Sequence, residues 1–241
     1  MHLYVNTIDL WYTFIDEITE ELLDSYLPLL SDDERKQHLR FVFERDRRRY
    51  LVTRALVRTV LSRYVDVPPA EWNFAANAYG RPEIMNEHDG VKDLSFNLAH
   101  TNRLVMLGIT FGRAIGVDTE CFGSREAPLE IVDRFFAPTE IIALKALPKE
   151  DQSHRFFEYW TLKESYIKAR AMGLSLPLDK FSFELQPAIT LAIDSELSDS
   201  PSRWWFRQFT IEDHLVAVCA ERVGDHDPQL VLKRTVPLRI E

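Results

Sequence analysis

The sequence predicts an α+β protein, a pseudo-dimer of two similar halves that each pack a small antiparallel sheet with helices. The order strand, helices, strands occurs twice along the 241 residues, with a break near residues 111–114. This length is enough for two small domains with cores of their own. We expect an N-terminal half over 1–112, a C-terminal half over 113–225 and a tail over 226–241. The functional site is expected in the cleft between the halves.

The first half begins with a strand over residues 2–14, which are rich in β-branched and aromatic types. A helix over 17–29 follows. Ser31, with acids in the next turn, is typical of the N-cap of a helix, which we expect to run toward residue 43. A second long helix is predicted over 45–64, because its apolar positions recur at helical spacing and Pro68 then ends it.

Strands complete the first half and begin the second. Residues 79–82 form a turn in which Gly80 frees the backbone and Pro82 stiffens it. Gly112 lies in a short polar link that indicates a hairpin. The strands are predicted at 72–75, 94–100, 103–110 and 114–120.

The second half continues with helices and then more strands. Helices are predicted over 127–137, 138–147 and 153–172, with Gly173 closing the last at the C′ position. Alternating strands are predicted at 181–185, 189–193, 204–209 and 214–220, followed by a surface tail over the last 20 residues.

Composition and charge exclude several classes of protein. Hydrophobic residues at 46% and charged residues at 28% are ordinary for a globular protein. No run of about 18 apolar residues occurs, and the N-terminus lacks a basic region, so we expect no membrane span, no signal peptide and a cytoplasmic protein. Cys121 and Cys219 stand outside any paired motif, which favours two reduced thiols over a zinc site or disulfide. The net charge of −9 argues against nucleic-acid binding.

A cluster of positive charge nevertheless lies between residues 35 and 58. Apolar residues interleave with it, so some of its members must lie near the core boundary. A solvated helix face and an anion pocket are both consistent with the pattern, and an RNA-binding surface is disfavoured by the net charge. The cluster consists of Arg35, Lys36, Arg40, Arg45, Arg47, Arg48, Arg49, Arg54 and Arg58.

Four side chains from two elements indicate metal and phosphate chemistry. Glu164 and Lys168 are one helical turn apart among large apolar residues. Asp118 and Glu120 share one face of a strand, about 7 Å apart. Each pair alone is common, as a helix-surface ion pair or a strand end, but three acids and a lysine can together surround one Mg²⁺.

The conjunction of these segments resembles the signature of the 4′-phosphopantetheinyl transferases, and in particular the single-chain surfactin-synthetase-activating (Sfp) type. Two segments carry the main resemblance, GVDTE at 116–120 and WTLKESYIKA at 160–169. Further blocks similar to that family are YGRP at 79–82, FNLAHT at 96–101 and GLSLPLD at 173–179.

This resemblance implies that coenzyme A binds in the cleft of a monomeric pseudo-dimer. The enzyme would transfer 4′-phosphopantetheine to a serine of an apo acyl or peptidyl carrier protein and release adenosine 3′,5′-bisphosphate. Two alternatives are a non-catalytic module that binds coenzyme A or a carrier protein, and a metal-dependent phosphohydrolase that uses the same acids.

The resemblance also implies roles for individual residues. Asp118, Glu120 and Glu164 would be the Mg²⁺ ligands, and Lys168 would neutralise phosphate charge beside them. Glu164 is the candidate base for the serine, with Glu120 as the second choice. Trp160 and Lys163 match the family motif, but a core aromatic and a solvated lysine explain them equally well.

For coenzyme A, the resemblance assigns His100 and Arg49 to the 3′-phosphate and Arg81 to the adenine and ribose phosphates. Ala99 stands where the family usually has serine, and Thr101 is expected to supply the missing hydroxyl. The aligned positions that tend to be lysine in the family are Glu34 and Gln37. Lys36, Arg40 or Arg49 would then have to bind the phosphate.

Overall fold

The computed structural model describes residues 6–122, 126–224 and 226–239, except for the side chain of Leu174. The chain divides into two compact units, which are residues 1–112 with 229–241 (unit 1) and residues 113–228 (unit 2). Each unit combines a small sheet with helices, so the predicted α+β class is confirmed. Residues 2–5 of the expected first strand lie outside the described ranges.

Unit 1 is built around a four-stranded sheet in the order β11 (Gln229–Arg234), β1 (Thr7–Phe14), β5 (Leu104–Phe111) and β4 (Leu94–His100), with a separate two-stranded hairpin. Its elements up to residue 112 are β1 (Thr7–Phe14), α1 (Glu20–Tyr26), α2 (Asp32–Arg40), α3 (Glu44–Leu61), β2 (Phe74–Ala76), β3 (Pro82–Ile84), β4 (Leu94–His100) and β5 (Leu104–Phe111).

Unit 2 is built around a three-stranded sheet in the order β6-β10-β9, with a separate β7–β8 hairpin. Its elements are β6 (Ile115–Cys121), α4 (Val132–Phe135), α5 (Pro138–Lys145), α6 (Lys149–Arg170), β7 (Phe181–Glu184), β8 (Thr190–Ile193), β9 (Trp204–Ile211) and β10 (His214–Glu221). The chain then returns to unit 1 through β11 (Gln229–Arg234).

The prediction of a surface tail at the end of the chain is wrong for β11. This strand pairs in parallel with β1, from Thr7 with Gln229 to Tyr12 with Arg234. Lys233 Nζ also lies 2.6 Å from the buried carboxylate of Asp9. Proline residues on both sides suggested an irregular segment, but the hydrogen-bonding edge of β1 supplies the partner.

The hairpin predicted around Gly112 is also wrong. β5 pairs with β1 and β4, whereas β6 pairs with β10. The positive φ of 66° at Gly112 marks the point where the chain leaves unit 1. Two consecutive strands with a glycine between them therefore belong to different sheets.

Helix starts were predicted to within one residue for α2, α3 and α5, but α1 and α4 begin three and five residues later than expected, and α6 begins four residues earlier. Ser31 caps α2 by accepting a hydrogen bond from the backbone N–H of Glu34, as expected. The long helix α6 ends at Arg170, and its C-cap Ala171 adopts a left-handed conformation with φ 54°, two residues before the predicted Gly173. Helices of the described chain include none that is both long and apolar enough to cross a membrane.

Candidate active site

Strand β6 presents its two acids toward helix α6. In the register with β10, Asp118 lies opposite Ala217 and Glu120 opposite Leu215. Both of these β10 residues belong to the hydrophobic core that α6 helps to form. Alternation along a strand therefore places the two carboxylates on the side of the sheet that α6 covers.

Gly116 allows α6 to approach β6 unusually closely. A Cβ atom at this position would lie 1.9 Å from the carbonyl oxygen of Ser165 and 2.5 Å from the amide nitrogen of Ala169. No side chain fits there, so any substitution would push the helix away. The glycine of the GVDTE segment thus brings the backbone of α6 within reach of the acids that follow it.

Lys168 makes the direct link between the two elements. Its Nζ lies 2.6 Å from Oδ1 of Asp118 and donates to the carbonyl of Val117 at 3.0 Å. The second carboxylate oxygen, Oδ2 of Asp118, is buried and has no hydrogen-bond partner. Burial raises the pKa of Asp118, although the Lys168 ammonium opposes that shift.

Glu164 lies in the same electrostatic environment. Burial raises its pKa to about 7, and the negative charges of Asp118 and Glu120 add to the rise, while Lys168 lowers it. Three carboxylates that repel one another and a buried oxygen without a partner are features that a bound cation would stabilise. Hard oxygen donors of this kind fit Mg²⁺.

Lys163 is fully buried, so its interpretation as a solvated lysine is wrong. Its Nζ lies 2.7 Å from Oε2 of Glu140 and donates to the carbonyls of Leu178 and Phe181 at 2.8 and 2.6 Å. Burial lowers the pKa of Lys163 and raises that of Glu140, and each charge opposes the shift of the other. The pair ties α6 to α5, to the first residue of β7 and to the turn before it.

Trp160 belongs to an aromatic cluster, as its interpretation as a core residue predicted. Its ring stacks on Phe156 with a centroid distance of 5.7 Å and an interplanar angle of 11°, and it meets Phe135 edge-on at 6.4 Å. Trp160 remains partly exposed. These contacts give it a packing role on α6.

In unit 1, Arg49 reaches the turn that follows β4. Its Nη1 donates to Oδ1 of Asn102 at 2.9 Å, and its Nη2 lies 3.0 Å from Oδ1 of Asp46. His100 is the exposed last residue of β4, two positions before Asn102. The structure therefore brings the side chain of Arg49 to the segment that carries His100.

Two other predicted ligands of coenzyme A have internal contacts. Arg81 donates from Nη2 to the carbonyl of Phe96 at 3.0 Å, and burial lowers the pKa of its guanidinium. The hydroxyl of Thr101 accepts hydrogen bonds from the amides of Arg103 and Leu104, at 3.2 and 3.1 Å, and so stabilises the β4–β5 turn. Ala99 is buried.

Neighbouring carboxylates neutralise much of the basic cluster. Arg47 pairs with Glu44 at 3.2 Å, and Lys36 pairs with Asp33 at 3.0 Å. Lys36 and Arg45 each keep 71% of the side chain exposed, and Arg45 Nε lies 3.9 Å from Oδ1 of Asp46. The cluster is therefore neither a uniformly solvated face nor an open cationic pocket.

Glu34 has a structural role at the start of α2. One of its oxygens accepts from the backbone of Ser31 at 3.0 Å and completes a capping box. The same oxygen lies 2.6 Å from the buried guanidinium of Arg58, and the other lies 3.5 Å from Arg54. Glu34 thus forms ion pairs with two arginines of α3 from the first turn of α2.

Sequence reasoning missed two residues that position others. Glu140 is the partner of Lys163, and Asn102 is the partner of Arg49. Glu140 stands at the third position of a helix that begins with proline, where an acid is typical of a cap. No local signal marks Asn102, because its partner is 53 residues away.

Comparisons with known proteins find relatives of this chain over most of its length. Residues 114–219 match the family model described as the 4′-phosphopantetheinyl transferase superfamily, and residues 17–110 match that of 4′-phosphopantetheinyl transferase, N-terminal. The Sfp 4′-phosphopantetheinyl transferase of Bacillus subtilis is 33% identical over 84% of this chain and 87% of its own. The HetI 4′-phosphopantetheinyl transferase of Nostoc is 32% identical over 88% of this chain and 86% of its own.

A solved structure, the holo-[acyl-carrier-protein] synthase of Thermotoga maritima, aligns with 45% of this chain and 62% of its own at 14% identity and a TM-score of 0.37. The sequence matches extend through both units. Because two family models and relatives of about one-third identity span most of its length, the chain belongs to the 4′-phosphopantetheinyl transferase superfamily and is a transferase of the Sfp type.

Proposed function

We propose that the protein transfers 4′-phosphopantetheine from coenzyme A to a serine of an apo acyl or peptidyl carrier protein, with Mg²⁺ as cofactor. Adenosine 3′,5′-bisphosphate is the second product. The observation that carries this proposal is the buried Asp118 carboxylate, which pairs with Lys168 through one oxygen and leaves the other without a partner.

Asp118, Glu120 and Glu164 would hold the metal ion. A divalent cation bound there supplies positive charge for the pyrophosphate of coenzyme A, which phosphoryl transfer needs more than covalent catalysis. Lys168 adds a second positive charge from α6. Its Nζ already lies at Asp118, so it is positioned beside the same group of acids.

Glu164 accepts the proton of the attacking serine. The serine oxygen forms a bond to the β-phosphorus of coenzyme A, and the bond from that phosphorus to the bridging oxygen breaks. In the metal-free protein, burial and the neighbouring acids raise the pKa of Glu164 to about 7, which makes it a stronger base there than an ordinary glutamate. Glu120 is the second candidate for this role.

Arg49 and His100 are the proposed contacts of the 3′-phosphate, with Arg81, Thr101 and Lys168 as further coenzyme A contacts. The hydrogen bond from Arg49 to Asn102, on the turn after His100, supports the first two. Since Glu34 is committed to Arg58, we assign the phosphate to Arg49. We also propose a cytoplasmic monomer.

The test is to incubate purified protein with coenzyme A, Mg²⁺ and a panel of apo carrier proteins, and to weigh the carriers by intact mass spectrometry. A gain of one phosphopantetheine that EDTA abolishes is the expected result. Carriers that all stay in the apo form while coenzyme A binds would indicate a binding module instead. Release of the bisphosphate without any carrier would indicate a phosphohydrolase.

A further inference from the structure

A second group of side chains with potential metal-ligand atoms lies where β6 ends and β10 begins. Cys121, Asp213 and His214 place their ligand atoms within 4.8 Å of one another. Cys121 ends β6, His214 begins β10, and the two are direct partners in the strand register. We propose that these three residues form a binding site for a divalent transition ion of the zinc class.

The separations suit one small ion. The Sγ of Cys121 lies 3.2 Å from Oδ2 of Asp213, and Nδ1 of His214 lies 2.9 Å from Oδ1 of the same carboxylate. Tetrahedral zinc has bonds of about 2.0–2.3 Å to such ligands, which places neighbouring ligand atoms about 3.4–3.6 Å apart. Small outward movements of the side chains would therefore admit the ion.

The backbone already holds the site in place. The amide of Phe122 donates to the carbonyl of Asp213 at 3.2 Å, which fixes the β9–β10 turn against the end of β6. His214 is fully buried, and Asp213 keeps 37% of its side chain exposed. Two ligands are thus packed in the protein, and the third provides contact with solvent for the entry of an ion.

The donor set distinguishes this site from the proposed Mg²⁺ site. Successive residues of a strand point to opposite faces, so Cys121 faces away from Glu120 and from the acids under α6. Thiolate and imidazole ligands favour zinc and cobalt over magnesium. Three protein ligands leave a fourth position for water, as in open zinc sites.

Cobalt is the probe that reports on the thiolate directly. Tag-free full-length protein is freed of metal with EDTA and titrated with Co²⁺ while its absorption spectrum is recorded. We expect one equivalent of Co²⁺ to produce a sulfur-to-cobalt charge-transfer band. Zn²⁺ should then remove this band, and Mg²⁺ should leave it unchanged. A site made of carboxylates alone has no such band.

The two cysteines provide a matched control, since Cys219 is buried on the face that α6 covers. Cys121→Ser should lose the band, Cys219→Ser should keep it, and Asp213→Asn should weaken Co²⁺ binding at least tenfold. Circular dichroism checks that each variant folds. If Cys121→Ser does not fold, the variant Asp213→Asn provides the test, because Asp213 is partly exposed. The absence of a band in the unaltered protein, or its survival in folded Cys121→Ser, would overturn the proposal.

Discussion

Helix α6 carries two lysines, five residues apart, that each pair with a buried carboxylate, and the two pairs differ in how completely they are satisfied. The carboxylate of Glu140 pairs with Lys163 and accepts hydrogen bonds from the amides of Ala137 and Phe183. The ammonium of Lys163 in turn has three acceptors, which are Glu140 and two backbone carbonyls. Asp118 pairs with Lys168 through one carboxylate oxygen, and its other oxygen is buried without a hydrogen-bond partner. The hydrogen-bonding capacity of the first pair is filled within the protein, whereas the second pair leaves one carboxylate oxygen without a donor.

This difference separates stability from function along one helix. A buried charge without its partner costs several kcal/mol, so the complete pair holds α6 at a fixed position. The incomplete pair is maintained at a cost that the rest of the unit offsets, which is typical of binding sites. Experiments that remove the charge of each pair separately are therefore the most informative.

The largest effect is expected from Lys163→Met. This change leaves Glu140 buried without its cation, and we expect a loss of about 3–5 kcal/mol in the free energy of unfolding. Lys168→Met is the matched control and should cost clearly less, because Lys168 is 27% exposed and lies beside an acid whose pKa is already raised. Urea unfolding measures both, and equal losses would contradict the comparison.

Glu164→Gln should reduce the turnover of carrier modification at least about 100-fold, about 2.7 kcal/mol in activation free energy, because the proposed base and metal ligand is removed. The affinity for coenzyme A should stay nearly unchanged. Intact-mass assays with and without saturating substrate measure the two quantities. Glu150→Gln, at an exposed position of the same helix, is the control. Turnover within tenfold of the unaltered enzyme would exclude both roles of Glu164.

The stability of the metal-free protein should fall as the pH rises from about 4.5 to about 7. Across this window folded Glu164 keeps a proton that its counterpart in the unfolded chain, with its ordinary pKa of 4.5, has released. The loss from this group is about 1–3 kcal/mol and is complete above pH 7. Urea titrations at several pH values measure it against Glu164→Gln, which should lack this component. The same slope in both proteins would contradict the prediction.

The smallest effect concerns unit 1. Arg49→Ala should raise the KM for coenzyme A about tenfold, equivalent to about 1.4 kcal/mol, and leave kcat nearly unchanged. With 3′-dephospho-coenzyme A as substrate the variant and the unaltered enzyme should behave alike. Arg45→Ala, which removes a largely exposed arginine from the same helix, is the control. An equal loss with both substrates would exclude contact with the 3′-phosphate.

Local patterns predicted the elements and the spacing of the acids well. Period-two alternation placed Asp118 and Glu120 on one face of a strand, and helical spacing placed Glu164 one turn before Lys168. These arrangements depend only on residues close together in the chain. The N-cap at Ser31 was predictable for the same reason.

Contacts between distant residues were not predictable from these patterns. Lysine is usually a surface residue, and only the folded structure shows that Lys163 is buried against Glu140. The two strands around Gly112 were expected to pair with each other, because a local turn signal does not show which other edges are available. The pairing of β11 with β1 was also not predictable from local patterns, because more than 200 residues separate the two strands.

The parallel pairing of β11 with β1 has a consequence for synthesis on the ribosome. Unit 2 is a continuous segment, whereas unit 1 is interrupted by it and resumes only at residue 229. The nascent chain can therefore complete unit 2 while one edge of β1 in unit 1 still has no strand beside it. The half of the protein that is made first is the half that is finished last.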